Sequence, residues 1–271
     1  MLIESPQNQH VKRLRALATR KGRRTHAQFL IEGVRALEET LGGTLELATV
    51  AVCPRLLSGE RAAELADGLR GRGLPVLELT EKAFRAFSQV QAPEGVAAAV
   101  AIPGTGLDDL PESDLMVAAV DVRDPGNLGA LLRAADAAGA GGFIAAGHCV
   151  DPYDPKVVRA TAGSIFHLPL VADASVDDLL AWADAGELHT VAASLEDALP
   201  HTEIRYPLRT LVLVGNEANG LPAEIAARAD LRARIVMPGR AESLNVAVAA
   251  GILLWEILRQ RGRTHDRDGE K

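Results

Sequence analysis

Three stretches in the second half of the chain concentrate residues able to do chemistry, and each follows an apolar run that reads as a buried strand. The first is Asp121-Val122-Arg123-Asp124-Pro125-Gly126-Asn127-Leu128-Gly129, continuing to Arg133. Asn127 is of a type that caps helices, and Gly126 and Gly129 admit close approach of another chain or a ligand. Arg133 is a guanidinium among Ala and Leu that needs a partner, and Asp121 and Asp136 are candidates. The second stretch is Val214-Gly215-Asn216-Glu217-Ala218-Asn219-Gly220-Leu221-Pro222. Two glycines around a carboxylate suit a turn that wraps a ligand with backbone groups, or an ordinary strand-to-helix turn with Pro222 in the first helical position. The third runs from Ile235 through Met237, Pro238, Gly239, Ser243, Leu244 and Asn245 to Val246. Ser243 reads as the cap of a buried helix, and Asn245 as an amide in its first turn that requires a hydrogen-bond partner.

The elements that must position these stretches alternate between strand and helix. In the second half, strands are expected over 115–122, 142–146, 189–193, 211–215 and 234–237, with 167–171 extended. Helices are expected from Asn127 to about 138, over 155–162 and 176–185, from Pro222, and from Ser243 to about 259. That alternation predicts a parallel sheet covered on both faces, with a ligand site outside the carboxyl ends of its strands, where all three stretches lie. The first half reads as a helix over 6–20 opened by Ser5-Pro6, then short α/β units with strands over 29–31, 45–53, 75–79 and 96–102. Residues 104–113, rich in Gly, Pro and acids, form the expected linker between domains 1–103 and 114–262, and 263–271 form a polar tail.

Composition narrows the function classes. With 271 residues, 48% hydrophobic and 24% charged, the chain can bury a core in one or two domains, and no apolar run reaches the roughly 18 residues of a membrane span. The start MLIESPQNQH lacks the apolar core of a secretory signal, and Cys53 and Cys149 lie far apart without a CxxC, so a reducing, cytoplasmic setting is expected. His10, His26, His148, His167, His189, His201 and His265 form no i, i+4 pair and no Cys/His cluster, so no metal is expected. A GxSxG elbow, a GxxxxGK[ST] loop and a GxGxxG fingerprint are all absent, which argues against a nucleotide-binding dehydrogenase. The net charge of −7 conceals eight basic residues over 1–35 (Lys12, Arg13, Arg15, Arg20, Lys21, Arg23, Arg24, Arg35) against Glu4 and Glu32. Such a stripe suits a polyanion, or is simply the solvated face of an amphipathic helix.

Taken together and in this order, N-x-G-x-x-x-R after a strand, VGNE-x-x-G-L, and I-x-M-x-G-x-x-x-S-L-N-V-A-V-A resemble the three motifs of the SpoU (TrmH-like) class of SPOUT RNA methyltransferases, over about residues 114–260. Residues 1–102 resemble the L30e-like substrate-binding domain that often precedes that domain. The pieces that carry this likeness are S-P-x-N-x-x-V-K-x-L-R-x-L, F-L-I-E-G-V-R-A-L-E-E and P-E-G-V-A-A-A-V. The resemblance implies an α/β fold with a C-terminal trefoil-knot (SPOUT) domain built on a parallel sheet, a smaller L30e-like α/β domain before it, and a homodimer with the active site at the subunit interface. It also implies S-adenosyl-L-methionine as cofactor and methyl transfer to a ribose 2′-OH of structured RNA. A 23S-type ribosomal RNA is the expected substrate. A tRNA substrate, or a catalytically inactive knotted RNA-binding or ribosome assembly factor, are the alternatives.

Carried over residue by residue, backbone groups at Gly215, Ile235 and Leu244 would hold the cofactor, with Ala193, Ser194, Asn216, Met237, Pro238 and Asn245 lining its pocket. Arg133 would contact the target ribose or its phosphate, and Asn127, Glu217, Ser243 and Asn245 would shape the reaction site. Family members often carry Ser or Thr after the first-motif arginine; here the residue is Ala134. Lys12, Arg13, Arg20 and Arg24, with Lys156 and Arg159 as secondary candidates, would contact RNA.

Overall fold

The computed structural model describes residues 2–43, 45–57, 59–216 and 219–262. The chain divides into two compact units, one of residues 1–104 together with 153–167, the other of 105–152 and 168–271. A stretch from the middle of the second half therefore packs with the first, which the order of elements along the sequence does not announce.

The first unit contains β1 (Leu2–Ile3), α1 (Gln9–Ala16), α2 (Arg20–His26), β2 (Gln28–Glu32), α3 (Val34–Gly42), β3 (Leu47–Val52), α4 (Glu60–Gly71), β4 (Val76–Leu79), α5 (Glu81–Arg85) and β5 (Val96–Ala101). The strands form one mixed sheet ordered β1-β4-β3-β5-β2, antiparallel where β5 meets β2 and β3. The single helix expected over 6–20 is two helices. Asn8, not Ser5, caps α1, and the chain breaks after Ala16 so that Thr19 can cap α2 through the Gly22 amide (3.1 Å). Gly22 permits this: a Cβ there would lie 1.9 Å from the Ala16 carbonyl oxygen. The core beneath is formed by Val11, Leu14 and Leu17 against Leu30, Phe84 and Phe87.

The inserted stretch carries α7 (Pro155–Ala160), following the elements β6 (Leu115–Val120), α6 (Pro125–Ala137) and β7 (Gly142–Ala146) of the second unit. It is fastened to the first unit by a buried guanidinium. Arg23 is 2% exposed, donates to the Leu17 carbonyl (3.0 Å) and pairs with Asp154 (3.5 Å), which also caps α7 through the Lys156 amide. Phe29 and Tyr153 pack with ring centroids 5.0 Å apart.

The second unit continues with β8 (Leu170–Ala174), α8 (Val176–Ala185), β9 (His189–Ala193), β10 (Leu199–Pro200), β11 (Thr210–Val214), α9 (Ala223–Ala226), β12 (Leu231–Arg234) and α10 (Val246–Gln260). Its seven strands are all parallel, in the order β10-β12-β9-β11-β6-β7-β8. β6, β7 and β11 are buried at every residue, as a sheet covered on both faces requires. From β6 the chain first moves outward to β7 and β8, then crosses to the far side at β9. The four strands β6, β11, β9 and β12 are contiguous, so the loops that leave their carboxyl ends emerge side by side. The stretch read as a linker is part of this unit: Leu107 and Leu110 pack on its core around a 3-10 turn over Leu107–Asp109.

Two helix caps of this second unit also differ from expectation. Asp124, not Asn127, caps α6, accepting the Asn127 amide at 2.8 Å with Pro125 in the first turn. Asn245, not Ser243, caps α10, accepting the Ala247 amide at 2.9 Å. The strand expected over 234–237 also ends earlier, at Arg234. The apolar residues that follow serve a cavity instead of a sheet.

Candidate active site

The loops after β6, β11 and β12 are tied to each other by side-chain amides. Asn216 donates from Nδ2 to the Asp121 carbonyl at 2.9 Å, joining the second stretch to the first. Asn245 donates from Nδ2 to Asn127 Oδ1 at 2.7 Å, joining the third to the first. Asn245 thus does two jobs, because its Oδ1 caps α10 while its nitrogen reaches across 118 positions of sequence. The 2.7 Å and 2.9 Å distances are those of well-formed bonds.

Each loop has a local reason for its shape. Asp121 adopts a left-handed φ of 56° and its carboxylate accepts the His148 amide at 2.6 Å, which fixes the turn out of β6. After β11 the chain closes a small ring, in which the Asn216 amide donates to the Gly220 carbonyl and the Gly220 amide returns to Asn216. Gly215 must lack a side chain, since a Cβ there would fall 2.2 Å from the Leu221 nitrogen. Gly220 turns with φ 69°, in the region that favours glycine.

The loops after β9, β11 and β12, with the start of α10, enclose a cavity of about 770 Å³; the loop after β6 supplies no lining residue and is tied to the wall through Asn216. Of the sequence-derived residues, Ala193, Ser194, Gly215, Asn216, Ile235, Met237, Ser243 and Leu244 line it. Pro238, Asn127 and Asn245 do not, the two asparagines being bonded to each other. Glu217 lies outside the described residues. The apolar run after β12 is now explained: Ile235 and Met237 face the cavity, while Val236 between them is 53% exposed. Sequence reasoning missed Glu196, Asp197 and Arg232, the charged residues of the lining, with Arg232 and Asp197 3.9 Å apart. The rule that ligands sit beyond strand ends would have found the first two, which follow β9. It missed Leu253 as well, which closes the cavity from α10.

Arg133 stands on the exposed side of α6 and is not part of the cavity lining. Among the described residues it forms no ion pair, neither with Asp136 nor with Asp121. Cys149, next to the Asp121 turn, hydrogen-bonds the Ala119 and Ala146 carbonyls, and burial pushes its thiol up to about 11, so it is protonated and not nucleophilic near neutrality. Among the described residues no group of three or more His, Cys, Asp or Glu is placed to hold a metal ion, and no helix is long and apolar enough to cross a membrane.

In the first unit, Lys12, Arg13, Arg20 and Arg24 are exposed on α1 and α2, with the Arg13 guanidinium bonded to Gln28 (3.0 Å). Lys156 and Arg159 are exposed on α7, which belongs to this same unit. Arg23 is the exception in the basic stripe, being buried.

Comparison with known proteins matches two families in turn, the second of them across residues 153–167 that pack with the first unit. Residues 8–98 match the MRM3-like substrate binding domain, and residues 114–255 match the SpoU rRNA Methylase family. The chain is 33% identical over 258 residues to the 23S rRNA (guanosine(2553)-2'-O)-methyltransferase RlmP of Bacillus subtilis, covering 94% of this chain and 98% of that protein. It is 33% identical over 272 residues to the 23S rRNA (uridine(2479)-2'-O)-methyltransferase of Streptomyces viridochromogenes, covering 95% of this chain and 92% of that one. Among solved structures, the AdoMet-bound rRNA methyltransferase from Sinorhizobium meliloti has a TM-score of 0.85 at 35% identity, covering 96% of this chain and 97% of that chain. The SpoU methyltransferase AviRb from Streptomyces viridochromogenes, in complex with the cofactor AdoMet, has a TM-score of 0.86 at 30% identity, covering 96% and 100%. The family match spans the parallel sheet and the loops that enclose the cavity, and on that ground the chain belongs to the SpoU rRNA methylase family.

Proposed function

We propose that this chain transfers a methyl group from S-adenosyl-L-methionine to a ribose 2′-hydroxyl of structured RNA in the cytoplasm, with a 23S-type ribosomal RNA as substrate. The observation that carries this reading is the cavity beyond the ends of β9, β11 and β12, with the loop after β6 tied beside it by the bonds of Asn216 to Asp121 and Asn245 to Asn127. The choice of ribosomal RNA rests on what the relatives are named for.

The residues present fit the cofactor. The cavity is large enough for a nucleoside with an amino-acid tail, within the roughly 300–1,000 Å³ range of small-molecule sites. Its wall mixes apolar surface (Ile235, Met237, Leu244, Leu253) with backbone polar groups at Gly215 and charged side chains at Glu196, Asp197 and Arg232. That donor set suits a ligand carrying an aromatic base, a diol and both signs of charge. When bound, S-adenosylmethionine supplies a methyl group already activated by the positive charge on sulfur, so no metal is needed.

The chain's own task is to hold the acceptor oxygen in line, which can account for about 7–11 kcal/mol of a barrier. Arg133 keeps its charge in any protein setting, so we assign it electrostatic work and not proton abstraction: clamping a phosphate beside the target ribose and stabilising negative charge on the oxygen. Asn127 and Asn245 hold the loops in register, and Ser243 lines the cavity. The role of Glu217 rests on its place in the motif alone.

Because Arg133 is exposed and outside the lining of its own cavity, we assign the working form to a homodimer in which Arg133 of one copy serves the cavity of the other. Val248 (51% exposed) and Trp255 (48% exposed), one face of α10, supply apolar surface for that contact. The trefoil knot implied by the resemblance belongs to this proposal.

Calorimetric titration with S-adenosylmethionine, followed by mapping of ribose methylation in RNA from cells with and without the protein, tests the reading. The expected outcome is one-site binding and the loss of a single 2′-O-methyl mark from the large ribosomal RNA. Absence of binding heat would instead favour an RNA-binding factor without catalysis, and a missing mark in tRNA would move the substrate.

A further inference from the structure

A second cavity, of about 340 Å³, lies within the first unit. Its apolar surface comes from Ile31 on β2, Val158 on α7 and Phe166, and its charged wall from Glu39, Glu94, Arg35 and Arg159. Glu32 also faces it, but both of its carboxylate oxygens are engaged, by the Ser88 hydroxyl at 2.6 Å and the Gln89 amide at 2.7 Å.

Glu94 and Glu39 are held in place while keeping acceptor capacity. Glu94 Oε2 accepts the Val34 amide at 2.7 Å, and Glu39 Oε2 lies 3.1 Å from His167 Nε2. An ionised carboxylate offers about four acceptor sites, so each retains several. Beside each stands a glycine in the left-handed region. Gly33 has φ 98° and a Cβ position 3.2 Å from Glu94 Oε2, and Gly163 has φ 106° and one 3.3 Å from Glu39 Cγ. A side chain at either would be strained and would press on the carboxylate. The α7 part of the lining is held by the Arg23–Asp154 pair, Asp154 being the cap of that helix, and by the neighbouring Phe29–Tyr153 ring contact. Arg35 and Arg159 are exposed, and among the described residues neither forms an ion pair.

We propose that this cavity receives one unpaired guanine of the RNA substrate, with Glu94 or Glu39 reading its base edge and Arg35 and Arg159 holding its phosphates. Single-stranded RNA is recognised by bases turned out of the stack and bonded along their edges. Guanine alone among the four bases places two N–H donors side by side, N1–H and the exocyclic amine, matching the two oxygens of one carboxylate. Adenine and cytosine set a ring acceptor next to their amine, and uracil flanks its single N–H with two carbonyls; each presents a lone pair to the carboxylate. Ile31, Val158 and Phe166 take up the ring faces, and exposed guanidinium groups suit phosphate oxygens. The inference rests on the reading of this chain as an RNA enzyme.

The test is calorimetric titration of the full chain, with S-adenosylmethionine present to fill the larger cavity, using GMP, AMP, CMP, UMP and guanosine as probes. GMP is expected to bind roughly tenfold or more tightly than the other three nucleotides. The E39Q/E94Q variant, checked for folding by thermal melting, should lose that preference, because each amide replaces an acceptor with a donor. Arg159→Ala, a surface change, should weaken GMP while leaving guanosine unaltered. Equal affinities for the four nucleotides, no heat with GMP, or a preference that survives E39Q/E94Q would each overturn the proposal. Titration of the wild-type chain with S-adenosylmethionine alone separates the two readings: cofactor binding without guanine preference sinks only the guanine pocket, and guanine preference without cofactor binding sinks only the methyltransferase.

Discussion

Asn127 and Asn245 show how much a single amide can do at the residue scale. Their bond spans 118 positions of sequence, and it competes with nothing local because Asn245 uses its oxygen for the helix cap and its nitrogen for the long-range tie. Loss of a cap costs about 0.5–2 kcal/mol, so Asn245→Ala should destabilise the protein measurably in urea denaturation. A double-mutant cycle with Asn127→Ala should give a coupling energy of about 0.5–1.5 kcal/mol. Additive effects would mean that the two loops are held together by something else. The sequence pointed to these asparagines but not to their roles. It assigned caps to Asn127 and Ser243, whereas Asp124 and Asn245 perform them. Several residues within four positions of a helix start can cap it, and which one does depends on partners from distant loops that local composition does not encode.

At the scale of elements, α10 is fixed at its far end by a polar cluster. Glu256 accepts two bonds from Arg259 (2.8 and 2.7 Å) and one from Gln260 (2.8 Å), and Gln260 in turn bonds the Ile204 carbonyl and the Tyr206 amide. The Arg259 bonds, against the opposing effect of burial and with help from Gln260, hold the Glu256 carboxyl down to about 2, from an ordinary value of 4.5. A lowered value means that the charged form stabilises the fold at neutral pH, and that this contribution fades as pH falls through 4.5 toward 2. The wild-type chain should therefore exceed E256Q in stability at pH 7, and the gap should close as the pH approaches 2. A gap independent of pH in a denaturation series would contradict this. Elements of this kind were largely legible: α8 and β9 fall over the residues that periodicity assigns to them. The break between α1 and α2 was not, because it depends on how closely Gly22 approaches Ala16. Nor was the early end of β12, because residues that line a ligand cavity are as apolar as residues that line a core.

For the whole molecule, the distribution of charge bears on the proposed division between RNA binding and cofactor binding. Lys12, Arg20 and Arg24 are exposed in a chain whose net charge is −7, so the basic surface stands out against an acidic remainder. Reversing these three to Glu should weaken RNA binding and flatten its salt dependence by roughly 0.7–0.9 log units per lost phosphate contact. Binding of S-adenosylmethionine, assigned to the other unit, should not change. Filter binding over a range of salt, paired with calorimetry, checks both arms, and parallel loss of the two would refute the division. The expectation of two domains came from composition and from the order of motifs. The excursion of residues 153–167 into the first unit was not legible there, since nothing within that stretch marks which sheet it will accompany.

That excursion means the polypeptide passes between its two halves three times instead of once. Severing it after residue 104 would strip Arg23, 2% exposed, of the carboxylate of Asp154, and removing one partner of a buried pair is among the more damaging changes a fold can suffer. The halves are thus not interchangeable parts that gene fusion could trade one at a time. A replacement for the leading half would have to bring its own seat for α7 and its flanks, which lie within the stretch matched to the SpoU family.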